Sequence, residues 1–176
     1  MKYAQVFICD VANGPGCRTS LFVSGCTHHC KECFNEVAWD FSYGKDFTPE
    51  VEDMLISETN HPYISGITIL GGEPMEVVNQ KALRPFIERV RRELPDKDIW
   101  IYSGYTWEEL NDANNQRCHS EDTDAILSMI DVLVDGEFVA TQKNVSLTFR
   151  GSTNQRIIDV PQTRASGAIV LSQYNG

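Results

Sequence analysis

The chain has 176 residues, of which 41% are hydrophobic and 23% are charged. This composition is ordinary for a globular protein, and the length suits one compact domain over residues 1–176. The 15 basic and 25 acidic residues give a formal net charge of −10. That charge argues against a nucleic-acid partner, because phosphate contacts require clustered Lys and Arg.

No apolar run approaches the roughly 20 residues that cross a bilayer. The N-terminal stretch also lacks the apolar segment and cleavage site of a signal peptide. We therefore expect a cytoplasmic protein without a membrane partner. Thiols stay reduced in that compartment, so the six cysteines indicate metal binding or chemistry rather than disulfides. Cys9 and Cys17 have no partner at metal-site spacing and are expected to be core thiols.

Short apolar runs alternate with helical patterns in the first half of the chain. Residues 21–23 form the first predicted strand, and Thr48 before Pro49 is typical of a helix start. Residues 67–70 form the second predicted strand. The next helix presents one apolar face, which comprises Leu83, Phe86, Ile87, Val90 and Leu94. Pro85 is expected in the first turn of this helix.

The same alternation continues in the second half. Residues 99–102 form the third predicted strand, and Thr106 with Glu109 predicts a capping box that opens a helix. The polar stretch 111–124, which contains Cys118, is expected to be an exposed surface insertion.

The final predicted elements complete the pattern. Residues 126–130 suggest a short helix that leads into the fourth strand, 132–134, and residues 157–160 and 168–171 are two further candidate strands. Strands alternating with amphipathic helices are typical of an α/β fold with a mostly parallel sheet.

Unusual segments follow four of the predicted strands. Cys26 follows the first strand, Gly71-Gly72 the second, Ser103-Gly104 the third and Asp135-Gly136 the fourth. In parallel α/β sheets, ligands bind at the carboxyl ends of the strands. The sequence therefore predicts one site at which all four segments meet.

One polar loop carries three cysteines at C-x3-C-x2-C spacing, namely Cys26, Cys30 and Cys33. One interpretation is a structural zinc site, with His28 or His29 as the fourth ligand. A second is a set of unrelated buried cysteines, which the polar character of the loop disfavours. A third is an iron–sulfur cluster, in which three thiolates leave one iron open for chemistry.

Five blocks, in order along the chain, resemble the anaerobic (class III) ribonucleotide reductase activating enzymes of the radical S-adenosylmethionine (SAM) superfamily. They are NGPGCRTSLFVSGCTHHCKECFN (13–35), LGGEP (70–74), YSGYT (102–106), DVLVDGEF (131–138) and RGSTNQRIIDV (150–160). The resemblance implies a partial (β/α) barrel of the radical SAM type. It also implies that the turn 13–16, with Arg18, lies near the docking site of the partner.

The resemblance implies a chemistry as well. In this family three cysteines hold a [4Fe–4S] cluster whose open iron binds SAM. One electron, supplied by a flavodoxin-type donor, releases a 5′-deoxyadenosyl radical. That radical removes hydrogen from a glycine Cα on the large glycyl-radical subunit of the anaerobic ribonucleotide reductase. No catalytic acid, base or nucleophile is expected from the chain, because the cofactor carries the hard chemistry.

Residue by residue, the resemblance implies that Cys26, Cys30 and Cys33 hold the cluster. The SAM-contacting residues that it implies are Glu32, Cys33, Phe34, Gly71, Gly72, Glu73, Pro74, Ser103, Gly104, Asp135 and Asn154. The superfamily usually has an aromatic residue immediately before the third cysteine. Here that position is Glu32, which is expected to contact SAM through its backbone, and Phe34 is expected to supply the ring.

Several of these segments have a plain structural alternative. Gly71 and Gly72 would let the backbone pass beside the methionine part of SAM, but the same sequence also suits a strand-to-helix turn. Asp135 is a candidate for a polar group of SAM or for a capping residue. Asn154 is expected either to hydrogen-bond the ligand or to hold a turn.

Three rival functions remain open at this point. In two of them the same chemistry serves another glycyl-radical enzyme, such as pyruvate formate-lyase, or a small-molecule substrate. From a different class comes a zinc-stabilised binding module without catalysis. The closing blocks and the lack of a second cysteine cluster favour the reductase, because three scattered cysteines cannot supply four ligands to another cubane.

Overall fold

Seven strands form one sheet in the computed structural model, which describes residues 1–176. In chain order they are β1 (Lys2–Asp10), β2 (Cys17–Val23), β3 (Lys45–Asp46), β4 (Ile64–Gly71), β5 (Asp98–Tyr102), β6 (Val132–Asp135) and β7 (Arg156–Asp159). Their order across the sheet is β3-β1-β2-β4-β5-β6-β7. The central strands β2, β4, β5 and β6 run parallel, whereas the other pairings are antiparallel. The α/β class is confirmed, but the sheet is mixed and does not close.

Five α-helices accompany the sheet: α1 (Pro49–Thr59), α2 (Val77–Glu93), α3 (Trp107–Leu110), α4 (Thr123–Met129) and α5 (Val160–Ser166). The predicted capping box of α3 is confirmed. Thr106 Oγ accepts from the Glu109 N–H, and the Glu109 carboxylate accepts from the Thr106 N–H. Pro49 begins α1 as expected, at a position where no N–H is needed. No helix combines the length and the apolar character required to cross a bilayer.

Alternate strand residues point to opposite faces of the sheet. On one face they join the helices in the main core, which includes Leu21, Ile67, Ile69, Ile101 and Leu133 from the strands and Leu55, Leu83, Phe86 and Leu127 from the helices. Full burial of one such side chain contributes about 1.5–3 kcal/mol. The other face carries a smaller cluster, made of Trp100, Val132, Val134 and Ile157 with Tyr102, Phe149 and Tyr174 packed against it.

The N-terminal strand β1 was not among the predicted elements. It pairs antiparallel with β2, so the turn at residues 13–16 connects two strands rather than leading into the first. Most of its side chains are exposed or half-buried, and this weakens the hydrophobic pattern that a single strand displays. A usable signal was present nonetheless, since the glycine-rich turn lies between two β-rich runs.

Two other expectations were wrong. Pro85 lies inside α2 rather than in its first turn, because α2 begins at Val77. The early part of α2 carries buried polar residues, which hide the start of the helix from a hydrophobic pattern. Residues 168–171 form no strand, and only Leu171 makes an isolated bridge to Ile158.

The segment 111–124 is not simply an exposed insertion. Cys118 and Thr123 within it are fully buried, and α4 already begins at Thr123. Gln80 of α2 donates through Nε2 to the Cys118 carbonyl oxygen at 2.6 Å, and its Oε1 accepts from Thr123 Oγ1 at 2.7 Å. The segment is therefore attached to α2, even though most of its side chains are polar.

Candidate cofactor site

The carboxyl ends of the four parallel strands surround one cavity of about 120 Å³, which we call the cysteine cavity. Residues that follow each strand contribute to its wall, namely Cys26 after β2, Gly72 and Glu73 after β4, Ser103 and Gly104 after β5, and Gly136 after β6. The structure thus brings together the four segments that the glycine and cysteine positions singled out.

All three cysteines of the C-x3-C-x2-C loop are free thiols on the wall of this cavity. Cys26 is buried, whereas Cys30 and Cys33 are half-buried. Apolar side chains also line the cavity, namely Phe34, Trp39, Leu70, Val134 and Phe138. Burial raises the pKa of Cys26 to about 12, and the nearby carboxylate of Glu73 adds to the shift. Burial also raises the pKa of Cys30.

The donor set fits a cubane cluster. No three His, Cys, Asp or Glu side chains of the chain converge as the ligands of a single ion do. A [4Fe–4S] cube takes each thiolate on a different iron, so its ligands must border a volume rather than meet at a point. Three thiols on the wall of a partly open, largely apolar cavity match that requirement and leave one corner without a ligand from the chain.

The two histidines of the loop, candidates for a fourth zinc ligand, have other contacts. The His28 side chain is 3% exposed, and its Nδ1 lies 2.6 Å from Glu137 Oε1. Its Nε2 lies 3.0 Å from Glu73 Oε2, although the N–H direction does not give a hydrogen bond. Burial acts to lower the pKa of His28, but the two carboxylates outweigh it and the pKa is raised. His29 stacks on Trp39, with ring centroids 4.4 Å apart.

The glycines after β4 are required by the protein's own backbone. Gly71 has φ +112°, a conformation that side chains rarely allow. A Cβ on Gly72 would lie 2.6 Å from the Gly25 carbonyl oxygen and 2.8 Å from that of Ala38. The Glu73 N–H also donates to the Gly25 oxygen at 2.8 Å. This close approach locks the glycine loop against the start of the cysteine loop, and Pro74 is buried beside it.

Glu73 links the ends of β4 and β5. Its carboxylate is 1% exposed and accepts from Ser103 Oγ at 2.9 Å, from the Gly104 N–H at 2.6 Å and from the Met75 N–H at 2.8 Å. Both oxygens therefore already have partners within the chain. The hydrogen bonds to Glu73 fix Ser103 and Gly104 at the wall of the cysteine cavity.

A second cavity, the polar cavity, adjoins the first and measures about 560 Å³. Gly104 and Gly136 line both cavities, and no hydrophobic residue lines the polar one.

Asp135, 1% exposed, forms an ion pair with Arg156 at 2.5 Å. Asn154 donates to the Glu137 carbonyl oxygen at 2.8 Å and accepts from Ser152 Oγ at 2.6 Å. Asp135 and Asn154 thus lie on this wall but have partners within the chain.

A third cavity of about 540 Å³, the outer cavity, lies on the other side of the cysteine loop. Cys30, Cys33 and Phe34 line both it and the cysteine cavity, whereas Glu32 borders the outer cavity alone. Phe34 is 83% exposed and is therefore free to cover a ligand. The opposite wall comes from the segment 143–151.

Arg18 and the remaining cysteines do not contribute to these walls. Arg18 is fully buried and pairs with Asp98 at 2.5 Å, so it is not available to a docking partner.

Cys9 and Cys17 are not separate core thiols. They form a disulfide across the β1–β2 turn, with Cα atoms 4.6 Å apart, and Cys9 is exposed. Cys118 is buried, with its Sγ 3.4 Å from the Glu109 carbonyl oxygen.

Comparison with known proteins supplies the family. A family model described as a 4Fe-4S single cluster domain matches residues 12–158. The chain is 45% identical over 159 residues to the anaerobic ribonucleoside-triphosphate reductase-activating protein of Haemophilus influenzae, a match that covers 89% of this chain and 97% of the relative. The Escherichia coli K12 protein of the same name is 41% identical over 157 residues, covering 88% and 96%. That of Enterobacteria phage T4 is 34% identical over 157 residues, covering 89% and 93%.

Proposed function

The chain belongs to the family of anaerobic ribonucleoside-triphosphate reductase-activating proteins, and we propose that it activates the anaerobic ribonucleotide reductase by radical SAM chemistry. One observation carries the proposal. Cys26, Cys30 and Cys33 border one cavity at the carboxyl ends of the parallel strands. Three thiolates there would hold a [4Fe–4S] cluster and leave one iron for SAM.

When bound, the cluster supplies the electron that cleaves SAM reductively, and SAM supplies the radical that takes a hydrogen atom from a glycine of the reductase. The chain's own residues orient these groups and exclude water. Phe34, Trp39 and Phe138 form an apolar wall beside the thiols. An apolar wall limits side reactions of a radical with solvent.

The SAM site that we propose extends from the cysteine cavity into the polar cavity. Gly71, Gly72, Glu73 and Ser103 border the methionine end in the cysteine cavity, and Gly104 and Gly136 lie between the two cavities. The adenosine end would then face the polar wall, where the carboxylates of Glu108, Glu109, Asp135 and Glu137 can accept hydrogen bonds from the ribose hydroxyls. Asn154 would hydrogen-bond SAM from the same wall, and Phe34 would offer its ring from the cysteine cavity. Glu32 lines only the outer cavity, outside this proposed site.

For the protein partner we propose the large glycyl-radical subunit of the reductase, with a flavodoxin-type protein as electron donor. The outer cavity has the segment 143–151 as one wall and reaches Cys30 and Cys33. A glycine-bearing segment that entered there would approach the cluster site directly. Hydrogen transfer requires close, aligned atoms, so this short approach favours a macromolecular substrate that docks on the rim.

The direct test of the chemistry is SAM cleavage by the anaerobically reconstituted protein. After reduction, we expect about four iron per chain, as one cubane requires, and the release of methionine and 5′-deoxyadenosine. Cys30→Ala should abolish both the iron content and the cleavage of SAM. A colourless protein that binds one zinc and leaves SAM intact would contradict the proposal and establish the zinc-stabilised module instead.

A further inference from the structure

Side chains at the start of α2 hold the cysteine loop on both sides of Cys26. The Glu76 carboxylate, 6% exposed, accepts from the Thr27 N–H at 2.7 Å and from Thr27 Oγ1 at 2.6 Å. Asn79, 1% exposed, donates through Nδ2 to the Ser24 carbonyl oxygen at 3.1 Å and to that of Glu73 at 3.0 Å. One helix terminus therefore fixes the chain before and after the first cysteine.

The segment 111–124 supports the same loop from the solvent side. Arg117 Nη2 donates to Thr27 Oγ1 at 3.3 Å, and its guanidinium lies 5.2 Å from the centroid of the Tyr105 ring. The Tyr105 hydroxyl lies 3.4 Å from Thr27 Oγ1. Thr27 is thus the point at which α2, the end of β5 and the segment 111–124 all meet.

The structure assigns Glu76 as the positioning residue of the cysteine loop, which fixes the backbone beside Cys26 and hence the place of its thiol relative to Cys30 and Cys33. This inference rests on the proposed function, because it concerns the cluster that those cysteines hold. Glu76 does not line the cysteine cavity, and its hydrogen bonds with the cysteine loop are those from Thr27. It positions the loop through Thr27.

The energetics favour a role in positioning over a role in stability alone. Burying a carboxylate is costly, and an apolar side chain of similar size is often as stabilising or more so. Both hydrogen bonds that offset this cost at Glu76 come from one residue of an exposed loop. Charge-assisted hydrogen bonds are short and directional, so they define the position of the loop more tightly than apolar packing would.

The experiment compares variants of the reconstituted holoprotein. Glu76→Ala removes Oε1, the oxygen that accepts both hydrogen bonds, whereas Glu76→Gln keeps an amide oxygen that can accept them. We expect Glu76→Ala to lose iron to an excess of chelator about tenfold faster than the unsubstituted protein, the lower end of the effect of removing outer-sphere partners of a metal site. Glu76→Gln should recover most of that loss. The paramagnetic resonance signal of the reduced cluster should broaden in Glu76→Ala and be nearly unchanged in Glu76→Gln.

The matched control is Asp131→Ala. Asp131 immediately precedes β6, at the opposite end of the parallel strands from the cysteine loop. Asp131 accepts from the Ile99 N–H at 2.7 Å and pairs with Arg91, so its removal lowers the melting temperature without touching the cysteine loop. Equal acceleration of iron loss in Asp131→Ala would show general destabilisation and would overturn the assignment. If Glu76→Ala fails to fold, Thr27→Val tests the same contact from the exposed side, and we expect it to release iron severalfold faster.

The outcomes separate this inference from the proposed function. A native chain that takes up no cluster contradicts the proposed function, and the inference fails with it. A native chain that holds the cluster, together with Glu76→Ala and Thr27→Val variants that release iron at the native rate, contradicts the positioning role alone.

Discussion

Gly72 illustrates how a residue that is expected to contact a ligand can also be required by the fold. Its missing Cβ leaves room for the carbonyl oxygens of Gly25 and Ala38. A glycine expected to lie beside SAM is thus one that the cysteine loop itself needs. The sequence motif singles out a loop that lines the cysteine cavity, but it cannot separate these two reasons, because both depend on close backbone approach.

We predict that Gly72→Val destabilises the protein by about 1–3 kcal/mol, the usual range for an overpacked buried site. The branched side chain pushes the two loops apart, so cluster content should fall together with the unfolding free energy. The measurement is urea denaturation alongside iron analysis. Gly176→Val is the control, since nothing lies within 4 Å of its Cβ. Full stability with SAM binding alone lost would show that the contact with SAM dominates.

We also predict that alanine at Cys26, Cys30 or Cys33 abolishes the cluster, because each of the three thiols supplies a ligand that the chain does not replace. Cys118→Ala is the matched control. It removes a buried thiol and should lower stability while leaving about four iron per chain. The measurement is the iron and sulfide content of each variant after anaerobic reconstitution. A Cys118→Ala protein without iron beside a Cys30→Ala protein with iron would show that the cluster ligands are misassigned.

At the scale of elements, the predictable features were those with a local cause. The capping box of α3 depends on two side chains three residues apart, and the sequence displays it directly. The start of α2 and the strand β1 depend on partners elsewhere in the chain. Gln80, buried in α2, is satisfied by the carbonyl oxygen of Cys118 and by Thr123, contacts that no local pattern reveals.

One ion pair adds to the antiparallel pairing between the edge strand β7 and β6. Asp135 is buried, and Arg156 supplies its counter-charge while also pairing with Glu108. We predict that Arg156→Gln destabilises the protein by about 3 kcal/mol, because it leaves a buried carboxylate without its partner. Urea denaturation measures the loss. Arg92→Gln, at a side chain 69% exposed, should change the unfolding free energy by less than about 0.5 kcal/mol. Equal effects of the two substitutions would contradict the argument.

The turn between β1 and β2 should respond to acid. Partial burial acts to raise the pKa of Asp10, but hydrogen bonds from Asn13, Ser20 and the Ala12 N–H outweigh it, and the pKa lies below its ordinary value of 3.8. A carboxyl group with a lowered pKa stabilises the fold above its ordinary pKa, and this contribution is lost as pH falls through the lowered value. The unfolding free energy of the native protein should therefore fall more steeply than that of Asp10→Asn between about pH 4 and about pH 2. Parallel curves would show that Asp10 contributes nothing.

At the scale of the whole molecule, the order of the parallel strands explains why the site could be located from sequence. Four strand ends meet at one edge, so a cysteine after β2 and glycines after β4 must become neighbours. The extent of the site could not be predicted in the same way. The outer cavity depends on the segment 143–151, which has no regular pattern, and the open edges of the sheet depend on pairings that sequence leaves unspecified.

The central claim is that this chain makes a glycyl radical on the anaerobic ribonucleotide reductase. The most direct measurement is electron paramagnetic resonance of the reduced protein mixed anaerobically with SAM and, separately, with the reductase and the pyruvate formate-lyase of the same organism. Because hydrogen abstraction requires an aligned glycine Cα, we predict a glycyl doublet with the reductase alone. A doublet with the formate-lyase alone, or with neither protein while SAM is still cleaved, would contradict the claim.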